Sequence, residues 1–477
     1  MDISRFKRCG PHKGYRRTLS PRQAWLPVGT LALAALLSGC GQASEPSSAA
    51  STPDPDKIDT VIRCGVLIDG LAKAPTRDQS MAIHAGRIVS VSPTENAPWS
   101  TKASALLDLS DHTCLPGLIN THVHFDGNPE DSVDYGVYGR RTSDETLKVI
   151  LDNAKTTLLT GFTTVRHVGA WFPAAVYQAR ARIESGEALG PRIQTAGPYL
   201  TIPGGGGDLT FPEIPPERIP PESQLGIAST PDEFAARAED AILAGADFLK
   251  VIASGAVFSV GTEPGAPEMT QADIEAVVAV AKRYGKKVTA HVHSDQSGRE
   301  AILAGVDSLE HASLLEDATI ALAADRGVAF SMDVYNGTYT DTIGREQGYP
   351  AVFLKRNTET TEAQRVVFEK AYARGVTLLY GTDAAVLPHD MGGWQFAIMV
   401  ERGMAPMDAI RSATSVAAAH MGLADEVGAI ATGLAADIIA VKGDPLTDPT
   451  VLRNVAVVMK DGTVIKSPDT VSQRVEP

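Results

Sequence analysis

The sequence predicts an α/β protein: a (β/α)8 TIM barrel with a small β-sandwich domain formed from both termini. Three observations predict it. Strand-like and helix-like runs alternate eight times over about 300 residues in the middle of the chain. Short glycine-punctuated β runs flank that middle on both sides. A length of 477 residues suits one large barrel plus an accessory domain.

Taken in order, residues 1–39 read as a lipoprotein signal peptide. Arg5, Lys7, Arg8, Lys13, Arg16, Arg17 and Arg22 form a basic leader, followed by an apolar stretch from Ala24 to Leu37 that is too short to span a bilayer. Leu37-Ser38-Gly39-Cys40 resembles a bacterial lipobox, which makes Cys40 the expected lipidation site. An ordinary signal peptide with a chance cysteine is the plainer reading, and Arg16-Arg17 leaves the export route open between Sec and Tat. The chain is thus expected to be exported, a bacterial cell-envelope lipoprotein (periplasmic or outer-membrane anchored). Residues 40–57 are rich in Ser, Ala and Pro and read as a flexible tether.

Residues 58–115 and 424–470 form the expected β-sandwich domain. Its β runs are Thr60–Gly70, Ala82–Val91, Ala436–Val441 and Val455–Gly462. Cys64 and Cys114 are the two cysteines beyond the leader and the lipobox. In an exported chain they either pair or stand as two buried thiols.

Residues 116–423 form the expected barrel. Its strands end near His124, His167, Gly197, Val251, His291, Glu310, Met332 and Gly381, and helical spacing marks Thr230–Ala244, Gln271–Tyr284 and Thr361–Arg374. Barrel active sites lie at the C-terminal ends of the strands, and ligand-competent residues gather there. His122 and His124 point the same way because strand side chains alternate. Lys250 sits in the apolar run Asp247–Ile252. His291 and His293 share a face, His311 follows Glu310, and Asp383 follows Gly381-Thr382. Singly, each has an ordinary reading: polar histidines on an edge strand, a lysine snorkelling from a strand end, a satisfied barrel histidine, a helix N-cap. Jointly, their placement at one end of their strands favours a binuclear metal site.

Several motifs occur in order: Leu115-Pro116-Gly117-Leu118-Ile119 before His122-Val123-His124, Gly161-Phe162-Thr163-Thr164-Val165-Arg166, and Lys250–Gly255. They continue through Ala290–His293, Glu310-His311, Tyr380–Asp383, Ser412–Ser415 and Gly433–Ile438. With them the chain resembles the metal-dependent amidohydrolase superfamily over about residues 58–470, within the branch of imidazolonepropionase-like hydrolases, Xaa-Pro dipeptidases and ochratoxinase. The resemblance implies that His122, His124 and Asp383 bind one divalent metal and His291 and His311 the other. Lys250, carboxylated by CO2, would bridge the two; zinc is the expected metal, with Mn, Co or Fe as alternatives. A bare ammonium there would repel two dications, whereas a carbamate attracts both. The chain departs from the family once, with His167 where aspartate is usual.

The expected reaction is hydrolysis of an amide in a small substrate (an Xaa-Pro dipeptide, an N-acyl amino acid or an ochratoxin-like amide) by a metal-bridging hydroxide. Asp383 would carry the proton, and His293 would contact the carbonyl or carboxylate. His167, Tyr199, Ser254, Tyr335 and His389 are weaker substrate-contact candidates. The loop Pro203–Asp208 either approaches substrate or is a plain turn. Hydrolysis of a cyclic amide, a lactone or a phosphotriester is the alternative chemistry, and a solute-binding lipoprotein without catalysis the alternative class. Residues 1–39 hold seven Lys/Arg and one acid, so removing them takes the formal charge from −14 to −20. That excludes nucleic acid as a natural partner and limits membrane contact to the lipid. A homo-oligomer is the expected assembly.

Overall fold

A computed structural model describes residues 57–97, 105–468 and, for the backbone, 473–475. The leader 1–39, Cys40 and the tether up to residue 56 lie outside them. Among the described residues no helix is long and apolar enough to cross a membrane.

The strands, in chain order, are β1 (Thr60–Leu67), β2 (Thr76–His84), β3 (Arg87–Pro93), β4 (Ala105–Pro116), β5 (Leu118–Val123), β6 (Phe162–His167), β7 (Arg192–Thr195) and β8 (Leu249–Ile252). They continue as β9 (Val288–Val292), β10 (Ser308–His311), β11 (Ala329–Met332), β12 (Leu378–Tyr380), β13 (Ile438–Val441), β14 (Val457–Lys460), β15 (Thr463–Lys466) and β16 (Gln473–Val475). Strands β5 to β12 end within two residues of the expected positions. They are parallel, and helices intervene between most of them, which makes the middle of the chain a TIM-barrel-like α/β unit.

Their hydrogen bonding runs as two sheets, β5-β6-β7 and β12-β11-β10-β9-β8. Isolated parallel bridges join the sheets at both seams, Val123 to Ala384 and Leu200 to Val251. Alternation sorts each strand. Leu249, Val251, Ala290, Leu309 and Phe330 face the helices and pack with Phe234, Ile274, Val277, Ile302 and Phe368. Lys250, Thr289, Ser308, Glu310 and Ser331 form a second, polar set that is just as buried.

Three helices carry the expected segments. Helices Pro231–Leu243 and Gln271–Arg283 match the spacing, and Thr230 and Thr270 cap them through their side chains. The third runs from Ala351 to Ala373, starting ten residues before the Thr361–Arg374 expectation. Its first half buries Arg356, Asn357 and Thr360, so no apolar period marks that half.

Both chain ends build one mixed sheet ordered β15-β14-β13-β4-β1-β2-β3, with β16 also on β4. The two-domain expectation took these ends as a sandwich; the described strands are joined in a single hydrogen-bonded sheet through β4. The Ala82–Val91 run is a hairpin and not one strand. Ala85 and Gly86 both take positive φ (48° and 76°), as a two-residue turn with matching twist requires. Ile62, Cys64, Met81, Ile83, Leu107, Leu109, Cys114, Ile438, Val457 and Met459 share the core of this sheet. Cys64 and Cys114 form a disulfide there, with Cα atoms 6.1 Å apart.

Candidate active site

The C-terminal ends of the parallel strands open into a cavity of about 160 Å³, room for a small molecule. His122, His124, Lys250, His291, His293, His311, Asp383 and Tyr199 all line it. Two ligand candidates owe their placement to strained backbone. His311 and Asp383 take left-handed φ values of 65° and 54°, which turns the chain where the strand ends. That turn lets Glu310 and His311, adjacent in sequence, both serve the same side of the sheet.

The hydrogen bonds fix which ring nitrogen faces the pocket. His122 Nδ1–H donates to Glu310 Oε2 at 2.8 Å, since a carboxylate only accepts. His124 Nδ1–H donates to the Gly169 carbonyl at 2.9 Å, with the Tyr199 hydroxyl also 2.9 Å away. His311 Nδ1–H donates to Asp333 Oδ1 at 2.9 Å. In neutral rings this leaves a bare lone pair on each Nε2. His122 Nε2 lies 3.2 Å and His124 Nε2 3.5 Å from the same atom, Asp383 Oδ1. With both rings neutral, three acceptors thus converge on one space with no donor among them. Only a cation, or an extra proton, satisfies such a set, and the arrangement fits the metal centre expected there.

Two groups of donors have ligand atoms all within 4.8 Å of one another: His122, His311 and Asp383; and His291, His293 and His311. His293 therefore stands as close to the second group as His291 does. His291 Nε2 faces the Gly255 carbonyl at 3.4 Å, which directs Nδ1 elsewhere. His293 Nδ1 is held by Ser313 Oγ at 2.9 Å, which leaves its Nε2 unengaged.

Charge and burial set the protonation states. Burial pulls His122 down, but the carboxylates of Asp383 and Glu310 outweigh it and raise its pKa. Burial takes His124 and His293 to about 3 and keeps them neutral, ligand-competent rings. Asp383 is buried, yet His122, His311 and His124 hold its carboxyl well below the usual range. Lys250, 1% exposed, is lowered to about 8 by burial, against the pull of Glu310. A fraction of it is then free amine near neutral pH.

A further shell of groups escaped the sequence reading. Glu310 is gripped by Arg166 and the Thr289 hydroxyl in addition to His122. Asp333 is held by Gln364 at 2.7 Å and Asn336 at 3.1 Å, and Asn336 also reaches Asp383 Oδ2 at 3.2 Å. Glu310 stood beside His311 in the sequence as a signal; Asp333 and Gln364 gave none, because only the fold brings β11 and the 351–373 helix together. Asp126, also in the lining, lies two residues past His124.

The weaker substrate candidates divide. Tyr199 lines the cavity, whereas His167, Ser254, Tyr335 and His389 are not among its lining residues. His167 is fully buried and its Nε2 accepts the Phe125 amide at 2.9 Å, so it supports the chain beside His124. Ser254 Oγ accepts the His293 amide at 2.8 Å. His389 Nε2 faces the Gly127 carbonyl at 3.2 Å, and the Tyr335 ring packs 5.7 Å from that of Trp394. Of the glycine loop, Gly206 reaches the lining, anchored by its amide to Glu268 at 3.0 Å.

The chain matches known proteins over most of its length. Residues 113–465 match the amidohydrolase family. The chain is 28% identical over 431 residues to an ochratoxinase of Aspergillus niger, covering 86% of this chain and 87% of that protein. A Xaa-Pro dipeptidase crystallised with methionine in its active site is 32% identical, with a TM-score of 0.78 over 86% of this chain and all of the other. A prolidase complexed with N-methylphosphonate-L-proline is 25% identical, with a TM-score of 0.78 over the same shares.

Proposed function

The chain belongs to the amidohydrolase family and is a hydrolase of amide bonds; from that premise we propose a binuclear metal site that cleaves the amide of a small substrate. The observation that carries this reading is the convergence of His122 Nε2, His124 Nε2 and Asp383 Oδ1 on one space, within 3.2 and 3.5 Å of one another through the shared oxygen. His122, His124 and Asp383 would hold one divalent ion, and His291 and His311 the other. Lys250 would bridge them as a carbamate, formed when its free amine attacks CO2 and releases a proton. Zinc is the favoured metal. Bound divalent ions lower the pKa of water and draw electron density from the scissile carbonyl.

The protein's own residues do the rest. Asp383 takes the proton of the attacking water and delivers it to the leaving amine, while Asn336 steadies its second oxygen. Glu310 and Asp333 fix the tautomers of His122 and His311. His293 presents Nε2 to the substrate carbonyl or carboxylate. Closure of the two parallel sheets into one eight-stranded barrel belongs to the same reading, supported by the bridges at both seams. An exported, lipid-anchored placement through Cys40 and a homo-oligomeric state complete the proposal.

The test is a metal assay and a substrate panel on the purified protein. About two divalent ions per chain and hydrolysis of dipeptide or N-acyl amides are expected. Inactivity on every amide, with activity on lactones, overturns the reading.

A further inference from the structure

Beyond the histidines, the cavity is lined by aromatic rings and by one carboxylate, Asp126, that forms no salt bridge with a lysine or arginine among the described residues. Tyr138 and Trp171 meet edge to face with ring centres 4.7 Å apart, and Trp171 lies 6.2 Å from Tyr135 and 5.9 Å from Tyr199. All four rings line the cavity, and so does Asp126, which is 2% exposed. The Trp171 amide donates to Asp126 Oδ2 at 3.1 Å and ties the carboxylate to the rings.

The groups around Asp126 are committed elsewhere. His167 Nε2 lies 3.7 Å from Asp126 Oδ1 but already accepts the Phe125 amide, so it has no proton to give. Arg141 donates to the backbone carbonyl of Asp126 and pairs its other nitrogen with Asp131 at 2.7 Å, so its charge reaches the Asp126 carboxyl only from a distance, beside the backbone amides of Trp171 and Phe172. Among the lining residues Lys250 is the one Lys or Arg, and the proposed carbamate removes its charge. The cavity therefore offers a buried carboxylate beside aromatic rings and, apart from the proposed metal ions, no cationic side chain to receive a substrate's free carboxylate. A buried carboxylate held by amides but without a contacting counter-charge is costly, and an ammonium offsets that cost while gaining attraction to the rings.

We propose that Asp126, with Trp171, Tyr138 and Tyr135, binds an ammonium group of the substrate. The inference rests on the amide-hydrolase reading above and narrows it. The amide cleaved belongs to an aminoacyl compound with a free amine, not to an N-acylated amino acid. Asp126 lines the same cavity as His124 and Asp383, so an ammonium bound there shares the pocket with the scissile carbonyl, as an α-amino group would.

Kinetics on the metal-loaded enzyme test this. The panel is leucine p-nitroanilide and Leu-Pro, the N-acetyl form of each, and N-acetylphenylalanine. The free amines should exceed their acetylated forms in kcat/KM by at least about tenfold, the scale of a charged hydrogen bond joined to a cation–π contact. Asp126→Asn should bring that ratio toward one, mainly through KM, and Asp126→Glu should restore part of it. Trp171→Leu should lower the ratio as well, and serves if the Asp126 variants do not fold. Equal or better hydrolysis of the acetylated forms, or an unchanged ratio in the variants, overturns the proposal. Cleavage of N-acetylphenylalanine alone sinks it while sparing the amide reading; inactivity on all five sinks both.

Discussion

Two sheet interiors in this protein are built on opposite principles. The mixed sheet from the chain ends encloses Ile62, Met81, Ile83, Leu109, Ile438 and Val457 and is stapled by a disulfide. The parallel strands bury Lys250, Glu310, Arg166, Thr289 and Ser308 on one face and keep their apolar residues for the helices on the other. Apolar burial stabilises without demanding partners. Buried charge is tolerated only where each group satisfies another, and Arg166–Glu310–His122 is such a chain. The difference separates a region that holds the fold from one that holds a site.

Three perturbations sharpen or break that contrast. The largest effect is expected from Asp383→Asn. Metal content should persist while turnover falls about 10²- to 10⁴-fold. Assays of metal stoichiometry beside kcat check it, and retained turnover removes the proton-carrying role. Next is Glu310→Gln, which keeps the shape but strands buried Arg166 without a counter-charge. A loss of roughly 3–5 kcal/mol in urea unfolding is expected; a loss below about 1 kcal/mol means the polar interior is not held by this pair. Smallest is Cys64→Ala with Cys114→Ala. The bridged residues are 50 apart in sequence, so roughly 2–4 kcal/mol of stability should go while kcat stays as it was. A fall in kcat would show that the two interiors are not independent.

Much of the site was readable because strand alternation and strand ends are local. His122-Val123-His124, Lys250 and Asp383 could be placed from their own short segments. What escaped was set by distance along the chain. Glu310 meets His122 across 188 residues, and Gln364 meets Asp333 across 31. The first half of the 351–373 helix was missed because Asn357, Thr360 and Thr361 turn toward the cavity, so polar side chains replaced the apolar period. The Ala85-Gly86 turn was missed because alanine does not advertise a left-handed backbone.

The place of β13 between β4 and β14 has a consequence for how the protein comes to be folded. Pairs such as Leu115 with Ile439 join positions separated by almost the whole catalytic region. No ribosome can offer β13 until everything between has been made, so part of the β4 ladder waits with an open edge through most of synthesis. Such an edge invites foreign strands, and closing so long a loop is entropically slow. Chains cut short before Ile438 would expose it permanently, which makes aggregation, not inactivity, the first symptom of truncation.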